Sequence, residues 1–291
     1  MLIGPLLVSG CQPRHIRLKS IAMNDKSKQI LLTNDDSIHS PGLWAAAEAL
    51  DQLGYVHVVA PREQQTSTGH SMPIHSTGII GEMTLNVNGR DWPVFAVDGS
   101  PGQSVIHGIY DVIKGKPDLV VSGINYGENV GAGITVSGTV GAALEAASMG
   151  IPALAVSMQT GQEHNFTHSR EIDFSAAGYF TQLIAKRMLE KQLPDDVDVL
   201  KLDIPENATP NTPWVLTRLS RRRYYEPKPA DRISVSEHGP LGYKINNQIE
   251  GLEEGSDVQV LLVEKKVSLT PISIDMTSRT AFEALEDLLR D

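Results

Sequence analysis

From Gln29 to Leu202, short apolar runs alternate with amphipathic stretches, and the runs end in polar or glycine-rich segments. Gln29–Thr33 (QILLT) is too short for a helix and nearly all apolar, so it reads as a buried strand feeding Asn34-Asp35-Asp36-Ser37. Ser40-Pro41 then opens a helix. Serine can cap it, proline suits its first turn, Leu43, Ala46, Ala47, Leu50 and Leu53 form its apolar face, and Gly54 ends it. Tyr55–Ala60 is a second strand stopped by Pro61. A strand, a helix and a strand in that order form a unit of parallel sheet.

The alternation continues. Residues 62–90 are rich in Thr, Ser, Gly and His and read as a loop, with weak hairpin strands at Thr77–Ile80 and Thr84–Val87. Pro93–Val97, Asp118–Ser122, Ala153–Ser157 and Val197–Leu202 are expected strands. Gln103–Ile113, Thr139–Met149 and Arg170–Lys191 are expected helices, and Gly123–Gly138 is an irregular glycine-rich connection. The polar loops follow the carboxyl ends of strands, where doubly wound sheets bind ligands. Past residue 205 the pattern breaks. Pro210, Pro213, Pro227, Pro229 and Pro240 punctuate short strand-like pieces. Val258–Val263 and Val267–Leu269 read as returning strands and Ser278–Leu289 as a terminal helix. The expected fold is therefore α/β, a Rossmann-like doubly wound, mostly parallel sheet with a C-terminal β-rich arm. Its parts are a non-core extension (1–26), a catalytic domain (27–205), and the arm with its return strands and helix (206–291).

Composition narrows the function classes. The chain has 291 residues, 41 % apolar and 21 % charged, which excludes a disordered or collagen-like polymer. With 25 basic and 35 acidic residues its formal charge is −10. Such a body repels nucleic acid unless a local basic patch intervenes, and favours small ligands. A single cysteine, Cys11, excludes an intrachain disulfide framework and a four-cysteine zinc site, and makes a reducing, cytoplasmic location the default. Val8-Ser9-Gly10-Cys11 looks like a lipoprotein lipobox, and lipid anchoring through Cys11 is the alternative location. Against it, no basic residue precedes a short apolar run, and Met23 offers a second start. No stretch approaches the roughly 20 apolar residues of a membrane helix.

Four loops carry chemistry. Asp35-Asp36 are adjacent carboxylates after a buried strand, a pair that a divalent cation keeps ionised, although such residues also favour plain turns. Gln65-Thr66-Ser67-Thr68-Gly69-His70 offers three hydroxyls, a glycine and an imidazole. Ser122 to Asn129 is glycine-rich, with backbone N–H groups able to converge on an anion and Asn125 as a neutral carbonyl ligand. Ser137-Gly138-Thr139 opens a small-residue helix whose free N–H groups suit phosphate. No Walker A lysine follows, and the first turn lacks the dinucleotide glycine triplet. Together these groups suit metal-assisted attack of water on a phosphate ester, with oxygen ligation favouring Mg²⁺ or Mn²⁺.

The chain resembles the SurE family of metal-dependent 5′/3′-nucleotidases, the survival proteins or acid phosphatases, from about Gln29 to its end. The likeness rests on LLTNDD (Leu31–Asp36), VVAPREQQTSTGHS (Val58–Ser71), PDLVVSGINYGENVG (Pro117–Gly131), SGTVGAALEA (Ser137–Ala146), GIPALAVS (Gly150–Ser157) and VSLTPI (Val267–Ile272). The resemblance implies one divalent cation per subunit on Asp35, Asp36, a loop hydroxyl at Thr66 or its neighbour Ser67, and Asn125. Asp35 or Asp36 would also serve as base or nucleophile. Substrate and phosphate would be held by Asn34, Gly69, His70, Asn129, Ser137, Gly138 and Thr139. It further implies a homodimer or homotetramer built through an exchanging arm, and nucleoside 5′- and 3′-monophosphates as substrates.

The sequence departs from the family where Ser37 replaces the usual glycine after the aspartates, where Gly99-Ser100-Pro101-Gly102-Gln103-Ser104 replaces a Gly-Thr-Pro-Ala-Asp-Cys stretch, and where Val136 precedes Ser137. These departures keep open a non-catalytic, oligomeric nucleotide-binding protein as the alternative. His70 is a candidate acid, and Arg221-Arg222-Arg223 is a solvated face, a subunit contact or a phosphate-steering patch. Trp92 and Trp214 read as packing residues.

Overall fold

The computed structural model describes residues 28–165 and 167–290. The expectations for the N-terminal extension and Cys11 fall outside the described residues.

The strand Gln29–Thr33 (β1) lies in the interior of a nine-stranded sheet. It is followed by α1 (Pro41–Leu50), β2 (Tyr55–Pro61), β3 (Ile80–Val87), β4 (Arg90–Val97), α2 (Pro101–His107), β5 (Leu119–Tyr126), α3 (Gly138–Ser148), β6 (Ala153–Met158), α4 (Ser175–Glu190) and β7 (Val199–Ile204). Then come β8 (Trp214–Leu216), β9 (Tyr225–Lys228), β10 (Gly242–Ile245), α5 (Asp257–Gln259), β11 (Val267–Ile272) and α6 (Phe282–Arg290). The sheet order is β3-β4-β2-β1-β5-β6-β7-β11-β8. From β4 to β7 the neighbours are parallel, and β3 and β11 run antiparallel at the two ends of that block.

Both faces of the sheet are covered, which explains why its strands are apolar at consecutive positions. Ile30 and Leu32 pack on one face with Leu43, Trp44 and Phe180 from α1 and α4. Leu31 points the other way, among Val105, Val140 and Ala143 from α2 and α3. The period-two alternation of a strand thus assigns neighbouring residues to opposite cores. Full burial of each such side chain contributes about 1.5–3 kcal/mol.

Several elements differ from the sequence expectation. Val258–Val263 is not a strand. Asp257–Gln259 is helical and Val260–Glu264 continues as a wider turn, because the Ser256 hydroxyl caps it and Val258 and Leu261 bury on one side. The expected weak strands around 77–80 and 84–87 are one strand, β3, hairpinned to β4 through Asn88-Gly89, whose φ values of 51° and 82° suit a tight hairpin turn. The helix expected from Arg170 begins at Ser175, and that expected from Gln103 begins two residues earlier, capped by a reciprocal Ser100–Gln103 pair. The Ser40 hydroxyl makes no cap bond, and Pro41 alone marks the start of α1. Trp92 packs in the core, but Trp214 is half exposed on the edge strand β8.

Chain beyond residue 205 returns to the main sheet as β8 and β11, while β9 and β10 form a separate antiparallel hairpin. Helix α6 has one apolar face, Phe282, Leu285, Leu288 and Leu289, and none of its residues is buried.

Candidate active site

The sheet order reverses at β1: β2 follows on one side and β5 on the other. Such a switch point leaves a crevice at the carboxyl ends of the strands. Asp35 and Asp36 follow β1 into that crevice, and Asn125 lies near the end of β5.

Both aspartates are buried, at 3 % and 1 % exposure. Burial raises Asp35 to about 6, although the Thr139 hydroxyl and the Gly138 and Thr139 backbone at the start of α3 pull it down. Burial and the charge of Asp35 hold Asp36 well above the usual carboxylate range. Thr139 donates to Asp35 Oδ1 at 2.5 Å. Gly138 sits so close that a Cβ there would lie 2.7 Å from the Asp35 Cβ. Asp36 accepts from Gln64 Nε2 at 3.1 Å and from the Tyr126 backbone N–H at 3.2 Å. Ser37 adopts φ 82°, so the serine at the usual glycine position takes the left-handed conformation at some cost.

The hydroxyl loop after β2 meets the same carboxylate. Gln64 Nε2, bound to Asp36, also donates to Thr66 Oγ1 at 2.9 Å and to the Asn165 carbonyl at 2.8 Å. Thr66 is thereby turned toward Asp36, whereas Ser67 is exposed with φ 64°. Gly69 donates its N–H to the Val136 carbonyl at 3.0 Å. The loop rests on α3 so tightly that a Cβ on Gly141 would lie 2.5 Å from the Gly69 carbonyl oxygen. His70 lies at the rim, its Nε2 2.5 Å from Glu145.

Asn125 donates its Nδ2 to the Tyr126 and Gly127 carbonyls at 3.1 and 2.7 Å, so Oδ1 is the atom it can offer a ligand. Asn34 Nδ2 is bound to the Ser37 carbonyl, and its buried Oδ1 has no partner among the described residues. Ser137 caps α3 by accepting from the Val140 N–H. The structure therefore gathers Asp35, Asp36, Thr66, Gly138 and Thr139 around one pair of carboxylates. Asn129 is turned toward the next strands, its N–H on Asp203 and its Nδ2 on Ser157 Oγ at 2.8 Å each.

This donor set fits a hard divalent cation. Two buried carboxylates stand side by side, and among the described residues no salt bridge reaches either. Thr66 Oγ1 shares the Gln64 amide with Asp36, and Asn125, its Nδ2 engaged, has Oδ1 to offer, both oxygen donors of the kind a hard cation takes.

The family model described as survival protein SurE matches residues 30–226. The chain belongs to the SurE family. Among its relatives, the 5′-nucleotidase SurE of Thermococcus kodakarensis is 42 % identical over 261 residues, covering 90 % of this chain and 98 % of that protein. The 5′-nucleotidase SurE of Archaeoglobus fulgidus is 43 % identical over 264 residues, covering 89 % and 96 %. The crystal structure of the SurE protein from Aquifex aeolicus superposes with a TM-score of 0.68 at 30 % identity, covering 90 % of this chain and all of that one. The mostly parallel sheet of this SurE-family chain agrees with that neighbour.

Some residues around the candidate site are not visible in the sequence pattern. Gln64 lies two positions from Thr66, inside a family motif, but its amide has no feature that sets it apart from a loop residue. Asn165 and His168 carry no sequence signal, yet His168 Nε2 lies 2.5 Å from the Asp36 carbonyl, 132 positions away. Lys201, Asp203 and Asp257 form a fully buried ionic cluster, with Lys201 Nζ 3.1 Å from Asp257 and bound to Asp203. Burial opposes the charge on Lys201, but the two carboxylates hold it above its ordinary range. Asp203 Oδ1, the oxygen Lys201 leaves free, receives the Asn129 N–H, while the Gly131 N–H shares Asp257 Oδ2 with Lys201 and the Ser220 and Val258 N–H groups take Asp257 Oδ1. One signal is readable: in VLKLDI two charges alternate within an apolar strand, so they share a face. The arm joins the same loop. Tyr224 donates to Glu128, Tyr225 donates to the Glu128 carbonyl at 3.0 Å, and the Ala132 N–H reaches the Arg222 carbonyl at 2.9 Å. The Arg222 guanidinium binds the Gln248 and Glu250 carbonyls, a structural use of the arginine run.

Proposed function

We propose that this chain hydrolyses nucleoside 5′-monophosphates, and 3′-monophosphates beside them, to nucleoside and phosphate. The observation that carries the reading is the buried Asp35–Asp36 pair at the switch point, flanked by the hydroxyl loop and the start of α3. The names of the curated relatives support the same activity. Asp35, Asp36, Thr66 and the Asn125 carbonyl oxygen would hold one divalent cation per subunit, Mg²⁺ or Mn²⁺. Bound there, the cation would polarise the phosphoryl group and lower the pKa of water. The chain's own residues bind and orient. Thr139 fixes Asp35, Gln64 fixes Asp36 against Thr66, and Ser137, Gly138 and Thr139 present the α3 terminus to phosphate oxygens. Asn34, Gly69 and His70 complete the substrate side, Asn129 braces the loop after β5 through Asp203 and Ser157, and the acid–base step belongs to the aspartate pair.

No described helix is long and apolar enough to cross a membrane. We place the protein in the cytoplasm as a homodimer or homotetramer. The solvent-facing apolar side of α6 supports assembly, because a lone helix of nine residues gains its stability from packing.

The test is phosphate release from 5′- and 3′-nucleotides with each cation, together with Mn²⁺ binding measured calorimetrically. Asp35→Asn should abolish release and weaken Mn²⁺ binding. Full activity in that variant overturns the assignment.

A further inference from the structure

Beside the site lies a groove of about 1000 Å³ between the β9–β10 hairpin and the segment that follows β6. Its lining includes Gln162, Lys228, Tyr243, Lys244, Ile245 and Asn247. A short chain of hydrogen bonds joins its wall to the carboxylates. Tyr243 Oη accepts from Asn165 Nδ2 at 3.1 Å, the Asn165 carbonyl accepts from Gln64 Nε2 at 2.8 Å, and the same Nε2 donates to Asp36 at 3.1 Å. Asn165 and Gln64 thus link the groove wall at Tyr243 to the proposed cation site.

The lining is unlike that of a phosphate site. Two primary amides, Gln162 and Asn247, each offer a donor and an acceptor on one plane, the pattern that matches a base edge. The Tyr243 ring, held edge-on by Tyr225 at 5.3 Å between centroids, and Ile245 supply apolar surface beside them. Lys244 is neutralised by Glu226 at 3.0 Å, which removes one of the two lysines as an anion anchor. The volume lies at the upper end of ordinary small-ligand pockets, far more than a phosphate group needs.

We propose that this groove receives the base of the nucleotide while the phosphate lies at Asp35 and Asp36, so that the arm hairpin sets preference among substrates. The proposal rests on the nucleotidase reading above. It assigns Gln162 and Asn247 to hydrogen bonds with the base and Tyr243 to contact with its face.

The experiment compares 5′-AMP with glycerol 2-phosphate, an ester that has no ring to place in the groove. The variants are the double substitution Gln162→Ala/Asn247→Ala and the single Tyr243→Ala, with Tyr243→Phe keeping the ring if the alanine variant fails to fold. In the double variant KM for 5′-AMP should rise about tenfold with kcat little changed, the loss of one or two modest interactions, while kcat/KM for glycerol 2-phosphate stays within about twofold. Tyr243→Ala should act in the same direction, and Tyr243→Phe should keep wild-type KM. In parallel, adenosine binding without divalent cation is followed by saturation-transfer NMR and should weaken in the double variant. Equal losses on both esters, or an unchanged KM for 5′-AMP, overturn the assignment. If the unaltered chain hydrolyses neither ester, the activity reading fails. Weaker adenosine binding in the double variant would then still support the groove, and undiminished binding would overturn it.

Discussion

Replacing Gly138 by alanine tests the site through one methyl group. Gly138 is the first residue of α3, and its φ is one that any residue adopts, so the substitution strains no backbone angle. What it meets is Asp35: the new Cβ would lie 2.7 Å from Asp35 Cβ, 2.8 Å from Oδ2 and 3.1 Å from Cγ. Carbon atoms at rest sit about 3.5–4.0 Å apart, so the two groups must separate by about 0.8 Å. Asp35 is 3 % exposed and tied to Thr139 on the same helix, which leaves little free space for it to move into. Overpacking of this kind costs about 1–3 kcal/mol of stability. A displacement approaching 1 Å at the reacting centre costs on the order of a hundredfold in rate, so we expect kcat/KM for nucleotides to fall roughly ten- to a hundredfold. The half-saturating cation concentration should rise with it. The control is Gly178→Ala within α4, where the nearest atoms stand at 3.5 and 3.7 Å. Removing a helical glycine there should stabilise the fold by about 0.5–1 kcal/mol and leave turnover alone. Phosphate release across a cation titration, with thermal unfolding of each variant, reads both effects. Wild-type kcat/KM and cation dependence in Gly138→Ala would refute the placement of Asp35 at the cation.

Other consequences are open to measurement. Lys201→Met strands two buried carboxylates, and denaturant unfolding should show a loss of about 3–5 kcal/mol; a neutral result would remove the cluster's structural role. Burial lowers His57 from its ordinary 6.5 to about 4, so below pH 6.5 the unfolded chain takes up a proton that the folded chain refuses. That contribution is complete above pH 6.5 and is lost as pH falls toward 4, and urea midpoints over this window should slope less in His57→Gln. Removing α6 by ending the chain after Met276 should lower the oligomeric state seen by light scattering, and an unchanged mass would exclude α6 from the contact.

What the sequence disclosed depended on how locally the physics acted. The core strands were legible because both faces of the sheet are covered, which writes continuous apolar runs such as Leu31-Leu32 into the chain. Asp35, Asp36, Thr66, Asn125 and Thr139 stood out as candidates because each lies in or beside a polar or glycine-rich break in such a run, Asn125 at the end of β5 and Thr139 at the start of α3. The segment Val258–Val263 misled because a short apolar run has no period of its own, and the Ser256 cap and the burial of Val258 and Leu261 decided for helix. Asn165 and His168 were hidden because their partners lie far away in sequence, where spacing carries no signal, and of the Lys201 cluster only the Lys201–Asp203 pair could be read, its partner Asp257 lying 56 and 54 positions on.

The seam between the arm and the loop after β5 bears on how this chain can change its length. From Ser220 to Tyr225 nearly every residue has an assigned partner: Ser220 and Arg221 on Asp257 and Glu253, Arg222 on Ala132, Tyr224 and Tyr225 on Glu128. An insertion or deletion of one residue there shifts every pairing and drags Asn129 and Gly131 with it, so a change in the arm's root is also a change in the candidate active site. The tip between Lys228 and Gly242 carries no such register, with Ile233 fully solvent-facing and Val235 nearly so. A change of length is therefore tolerable at the tip and costly at the root, which leaves the arm free to acquire new reach while its foundation stays fixed.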